Sequence, residues 1–183
     1  MTQKNNIVVL GKNAVKMTND QLQDWGPIVS VGHNRDEFSN VMYVFTSDEQ
    51  ELRDLCENTQ DHDLCENTQD QFYILTTPDL YKKYVFYDRV HNVVLPGHAK
   101  NLEITGKTDD QTFALMTALS LCKDRVLLFG YDISSQKVLR ELRSVILTFT
   151  DTEFVFICNP PKTKQLDYLR NAQCLYYKEM NKL

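Results

Sequence analysis

The sequence predicts an α/β protein: a single doubly wound, mostly parallel sheet with flanking helices. Two observations carry this. Short runs rich in Val and Ile recur along the 183 residues without polar–apolar alternation, which marks strands covered on both faces. Between them lie stretches with three- and four-residue apolar spacing, so strand and helix alternate. A chain of this length suits one domain, 1–183. Hydrophobic residues at 42% and charged residues at 25% are the composition of a globular protein rather than a disordered one.

Ile7 to Leu10 is the first strand, ended by Gly11, and Ile28 to Val31 follows Gly26-Pro27 as the second. Val41 to Thr46 runs into Ser47-Asp48 as the third. Phe72 to Leu75 and Val93 to Leu95 come next, the latter stopped by Pro96-Gly97. Arg125 to Phe129 and Phe154 to Cys158 complete the set. The clearest helix runs from about Asp109 to Cys122, with Phe113, Met116, Ala118, Leu119 and Cys122 at helical spacing. Its two leading acids suit the positive end of the helix dipole. A second helix, Ser134 to Leu147, buries Val138, Leu142 and Val145 or Ile146.

Asp-Leu-Cys-Glu-Asn-Thr-Gln-Asp occurs at 54–61 and again at 63–70, a tandem nine-residue duplication within 54–71. Nine residues of helix turn through about 900°, so Leu55 and Leu64 face opposite sides of one helix. Both copies cannot meet the same packing pattern, and one is expected as a surface insertion. The five cysteines, Cys56, Cys65, Cys122, Cys158 and Cys174, lack paired metal-ligand spacing. They read as packed thiols in a reducing cytoplasm. No apolar run approaches the ~20 residues of a membrane span, and the first residues lack a secretory pattern. A cytoplasmic protein is expected, within the host if phage-encoded. The formal charge of -5 argues against broad nucleic-acid binding, leaving only a local basic patch open.

Ligands of doubly wound sheets sit at the carboxyl ends of the strands. The first such turn is Gly11-Lys12-Asn13-Ala14, where glycine and asparagine allow backbone amides to approach a phosphate; an ordinary strand-to-helix turn is the alternative. The second is Gly32-His33-Asn34, with His33 as acid or base and Asn34 as an amide reader of a base or ribose. A solvent-facing imidazole also accounts for His33. In Thr46-Ser47-Asp48, Asp48 can hold a hydroxyl or a metal, and a helix cap at Ser47 or Asp48 is the alternative. Gly106-Lys107-Thr108 resembles the end of a phosphate-binding loop, but Asn101 stands where the first glycine belongs, which argues against a nucleoside triphosphatase. Gly130-Tyr131-Asp132 closes the late strand and presents Asp132 to a ligand. The run Tyr81 to Tyr87, interleaved with Lys82 and Lys83, either contacts a protein or nucleic-acid partner or packs its aromatics inward.

Taken in order, these pieces resemble the bacterial sialyltransferase and motility-accessory-factor group of glycosyltransferases. The group's Gly-Asn-Gly-Pro-Ser-Leu turn reads Gly11-Lys12-Asn13-Ala14-Val15-Lys16 here, its strand ending in Asn is matched by Asn34, and its strand ending in Asp by Ser47-Asp48. The most specific segment runs from Asp110 through the helix and strand to Gly130-Tyr131-Asp132, and Phe154 to Pro160 resembles the late strand. The resemblance implies a nucleotide or nucleotide-sugar ligand, with CMP-sialic acid as donor in the best-known members, and transfer to an acceptor hydroxyl without an essential metal or other cofactor. Gly11, Lys12 and Asn13 would lie by the donor phosphate, Asn34 by the nucleotide, with Asp48, Gly130 and Tyr131 beside them. His33 and Asp132 are the catalytic candidates, and His98 is a second possible base.

Two departures from the group matter. Asp109, Asp110 and Gln111 stand where the group has Thr-Ser-Gly, and two acids repel a phosphate. The long lid that follows Gly-x-Asp in the sialyltransferases, with its tyrosines and histidine base, is replaced by Ile-Ser-Ser and the next helix. The competing expectation is therefore a non-catalytic accessory or interaction protein, bacterial or phage, that keeps the fold without the chemistry.

Overall fold

A computed structural model describes residues 5–14, 25–32, 41–60, 72–93, 108–122, 124–131, 133–158, 166 and 169–176. The elements in chain order are β1 (Asn6–Leu10), β2 (Ile28–Val31), β3 (Val41–Phe45), α1 (Glu49–Gln60), β4 (Tyr73–Thr76), α2 (Pro78–Tyr84), β5 (Val90–Asn92), α3 (Asp110–Leu121), β6 (Arg125–Phe129), α4 (Gln136–Thr148), β7 (Glu153–Cys158) and β8 (Ala172–Tyr176). The eight strands form one sheet in the order β5-β4-β3-β2-β1-β6-β7-β8. Every neighbouring pair is parallel.

The continuous apolar runs follow from burial on both faces. Ile7 and Val9 of β1, Val29 of β2, Phe45 of β3 and Val126 and Leu128 of β6 join one core with Phe113, Met116 and Leu119 of α3 and Val138, Leu142 and Ile146 of α4. Val8, Leu10, Ile28, Val44, Leu127 and Phe129 join the opposite core with Leu52 and Leu55 of α1 and Leu80 and Tyr84 of α2. Period-two side chains with a helix on each face leave the strand centres of β1 and β6 apolar, while β2 carries one buried serine, Ser30.

Helix α3 is buried on all sides from Gln111 to Leu119, because it lies on β1, β2 and β3 and also against α4. Its two buried threonines are satisfied locally: Thr117 donates to the Phe113 carbonyl at 3.1 Å and Thr112 to the Glu141 carboxylate of α4 at 2.7 Å. Helix α4 is amphipathic, starts on a Ser135 cap and ends where the Asn171 amide reaches the carbonyls of Ile146, Phe149 and Thr152 at 3.0–3.1 Å.

The strand expected at Val93 to Leu95 falls, beyond Val93, outside the described residues; a strand lies at Val90–Asn92. It is an edge strand of three residues whose His91 and Asn92 are exposed, so no apolar run marks it. The other edge, β8, was not expected at all: Ala-Gln-Cys-Leu-Tyr pairs with β7 alone and needs no continuous apolar run. The first copy of the duplication forms the last part of α1, where Leu55 and Cys56 are buried. The second copy lies outside the described residues. In the Tyr81 to Tyr87 run, Tyr84 is buried and Tyr81 and Tyr87 pack on the same core, while Phe86 stands 88% exposed. The inward-packing alternative accounts for its tyrosines. Among the described residues no helix is long and apolar enough to cross a membrane.

Candidate functional site

The strand order reverses direction at β1: β2 to β5 lie on one side and β6 to β8 on the other. Sheets of this kind take ligands at the carboxyl ends of the strands flanking such a reversal, here β1 and β6. Leu10 and Phe129 are in register at that end, so Gly11 and Gly130 stand side by side. Gly130 has φ of +60°, and a side chain on it would run into the backbone of Asn13 and Ala14. A Cβ on Gly11 would lie 2.6 Å from the Gly130 carbonyl oxygen. The two turns are thus packed backbone on backbone, which only glycine permits.

Within the first turn every amide is engaged by the protein itself. Gly11 donates to the Phe129 carbonyl at 2.6 Å, Asn13 to the Gly130 carbonyl at 2.9 Å and Ala14 to the Gly11 carbonyl at 3.1 Å. Lys12 N–H donates to Oε1 of Gln111 at 3.2 Å. An anion at this turn is consequently met by the Lys12 side chain rather than by a cradle of free amides. The Lys12 ammonium is half-exposed and sits 3.3 Å from Asp109 Oδ2.

Gln111 ties the site together. Only 1% exposed, it accepts from Lys12, donates through Nε2 to Asp109 Oδ1 at 3.2 Å, and its carbonyl accepts the Tyr131 hydroxyl at 2.7 Å. Burial pushes the Tyr131 phenol well above its usual range, with the Asp109 charge adding to the effect, so Tyr131 stays a neutral donor. Asp109 caps α3 by accepting from Gln111 N at 3.0 Å, and its own N–H donates to Glu141 at 3.1 Å. Asp110 accepts the Ser47 hydroxyl at 2.6 Å, which joins the β3 end to the start of α3.

At the β3 end, Asp48 accepts from Glu51 N–H at 2.8 Å and so caps α1, while its own N–H donates to the Thr46 hydroxyl at 3.1 Å. The buried Thr46 hydroxyl in turn donates to the Glu51 carboxylate. That carboxylate lies over Gly32, the residue following β2, which has φ of +59°. Among the described residues no group of three or more His, Cys, Asp or Glu side chains could hold a metal ion.

Of the residues singled out from sequence, Gly11, Lys12, Asn13, Gly130 and Tyr131 come together at the carboxyl ends of β1 and β6. Asp48 stands at the end of β3, two strands from β1. His33, Asn34 and Asp132 lie outside the described residues. Sequence reasoning placed Gln111 at the site only as a departure from the group's pattern, and it missed Glu51. A Glu in the first turn of a helix reads as a dipole-favoured surface residue; the Asp48-x-x-Glu51 spacing is a local signal for a carboxylate turned back toward the helix start, but its reach to Gly32 beside β2 has none. Helix α4 starts directly after the segment Gly130 to Ser135, in keeping with the short connection expected there.

No protein-family model matches the sequence, and no curated protein matches it significantly. Solved structures do match. The sialyltransferase CstII from Campylobacter jejuni, in complex with the substrate analogue cytidine-5'-monophosphate, superposes with a TM-score of 0.61 at 14% identity over 92% of this chain and 85% of that one. The sialyltransferase CST-II with a trisaccharide acceptor and CMP gives 0.59 at 10% identity over 91% and 86%. The apo alpha-2,3-sialyltransferase from Campylobacter jejuni gives 0.58 at 11% identity over 94% and 84%. The chain has a sialyltransferase-like fold: one eight-stranded parallel sheet with helices on both faces.

Proposed function

We propose that the chain is a divergent relative of the bacterial sialyltransferases and motility-accessory factors that binds a nucleotide or nucleotide sugar at the carboxyl end of β1. The observation that supports this most is the convergence of the Gly11–Ala14 turn, Gly130-Tyr131 and the Asp109–Gln111 cap at the strand-order reversal, in a fold shared with structures solved with CMP. Lys12 meets the phosphate with Gly11 and Asn13 beside it, Asn34 lies by the nucleotide, and Asp48 contributes from the end of β3. Transfer of a sugar to an acceptor hydroxyl would draw on His33 or Asp132. We also propose that 1–183 forms one cytoplasmic domain, with one copy of the 54–71 duplication as a surface insertion.

A second reading is supported by charge. Asp109 pairs with the single lysine of the β1 turn and Asp110 follows it at the start of α3, and α4 follows β6 without a lid segment. An accessory protein that keeps the fold and meets a protein partner has no need of either. Thermal shifts against CMP, UDP and their sugar conjugates test the two. A ligand at a hundred times its Kd stabilises by about 2.7 kcal/mol, so a reproducible rise for one nucleotide family is expected. A flat response across the panel from folded protein overturns the nucleotide reading in favour of the second.

A further inference from the structure

We propose that Glu51 is the residue that holds the ribose of the bound nucleotide through its vicinal hydroxyls; the assignment rests on the nucleotide reading above. Three observations place it. Glu51 belongs to the first turn of α1, after β3, yet its carboxylate lies at the end of β2, the strand adjacent to β1. Gly32 makes this possible: a Cβ there would stand 2.5 Å from Glu51 Oε1, so the missing side chain is the space the carboxylate fills. The carboxylate is also oriented from behind. Thr46, fully buried, donates to Oε2 and has its carbonyl held by the Thr76 hydroxyl at 2.8 Å.

The helix that delivers Glu51 is anchored as well. Leu52 and Leu55 are buried in the sheet, and Asp48 holds the Glu51 N–H. A carboxylate accepts about four hydrogen bonds, and a vicinal diol offers two donors to it. The spacing fits the ligand. Adjacent strands lie ~4.8 Å apart, so a group bound at the end of β2 sits one strand from a phosphate at the β1 turn. In doubly wound folds an acid beside the second strand takes the ribose hydroxyls; here the acid arrives from the helix after the third strand.

The test is isothermal titration of wild type and Glu51→Gln with CMP and with 2'-deoxy-CMP. Gln keeps the side-chain size and an oxygen for the Thr46 hydroxyl, and Glu51→Asp, which keeps the charge but shortens the reach, is the second variant. Wild type is expected to prefer CMP by about 10- to 100-fold, the effect of one hydrogen bond to a charged group. Both variants should lose that preference by weakening CMP alone. Equal affinity of wild type for both nucleotides overturns the Glu51 assignment and leaves the nucleotide reading standing. An equal loss for both ligands in the variants overturns it too, because Glu51 would then be acting only on the fold. Absence of binding for both ligands overturns this assignment, while the nucleotide reading falls only if the CMP and UDP panel is flat as well.

Discussion

Gly32→Ala and Gly130→Ala form a pair that measures how tightly the β1 and β6 turns are locked. Both glycines have φ near +60°, so each substitution carries the same left-handed backbone strain of about 1–2 kcal/mol. They differ in what the new methyl group meets. At position 32 it meets the far end of the Glu51 side chain, a flexible group that shifts at less cost than backbone. At position 130 it meets the peptide of Asn13 and Ala14, whose amides are tied to Gly130 and Gly11. Overpacking of that kind adds about 1–3 kcal/mol. Gly32→Ala is therefore expected to destabilise by about 1–2 kcal/mol and Gly130→Ala by about 2–5 kcal/mol. In urea unfolding followed by circular dichroism, an m of ~2.5 kcal/mol/M separates the two midpoints by about 0.4–1.2 M. Coincident midpoints would refute the argument, since the backbone contact between the turns would then be soft.

Three further substitutions follow from the same geometry. Asn171→Ala leaves three carbonyls at the end of α4 without their donor and should destabilise by about 1–3 kcal/mol, read as a lowered thermal midpoint. Asp109→Asn keeps an oxygen to cap α3 while releasing Lys12; stability should change by less than about 1 kcal/mol, and titration should show CMP binding about three- to tenfold tighter as one repulsive charge disappears. Tyr131 and Cys56 both have raised folded-state values, Cys56 to about 11 through burial. The unfolded chain loses these protons first, so their contribution is complete below the ordinary values near 9 and 10 and is lost as pH rises beyond them. Tyr131→Phe should lower stability at neutral pH by about 1 kcal/mol, through the lost bond to Gln111, and flatten the alkaline decline in melts from pH 8 to 11.

Much of the architecture was readable locally. Continuous apolar runs such as Ile7 to Leu10 and Arg125 to Phe129 announce strands covered on both faces, and the spacing in α4 announces its buried stripe. Gly11 and Gly130 mark the ends of the strands that flank the reversal of strand order. These signals survive because secondary-structure periodicity and turn chemistry act over a few residues. What only the tertiary structure decided is which ends meet. Edge strands β5 and β8, each with a single neighbour, carry no apolar run to betray them. Gln111 clamps a turn ninety-nine residues earlier in the chain, and Glu51 reaches back over the preceding strand to fill the space left by Gly32. Such contacts are fixed by strand order and by close packing across the sheet, and neither leaves a periodic trace in the residues that make them.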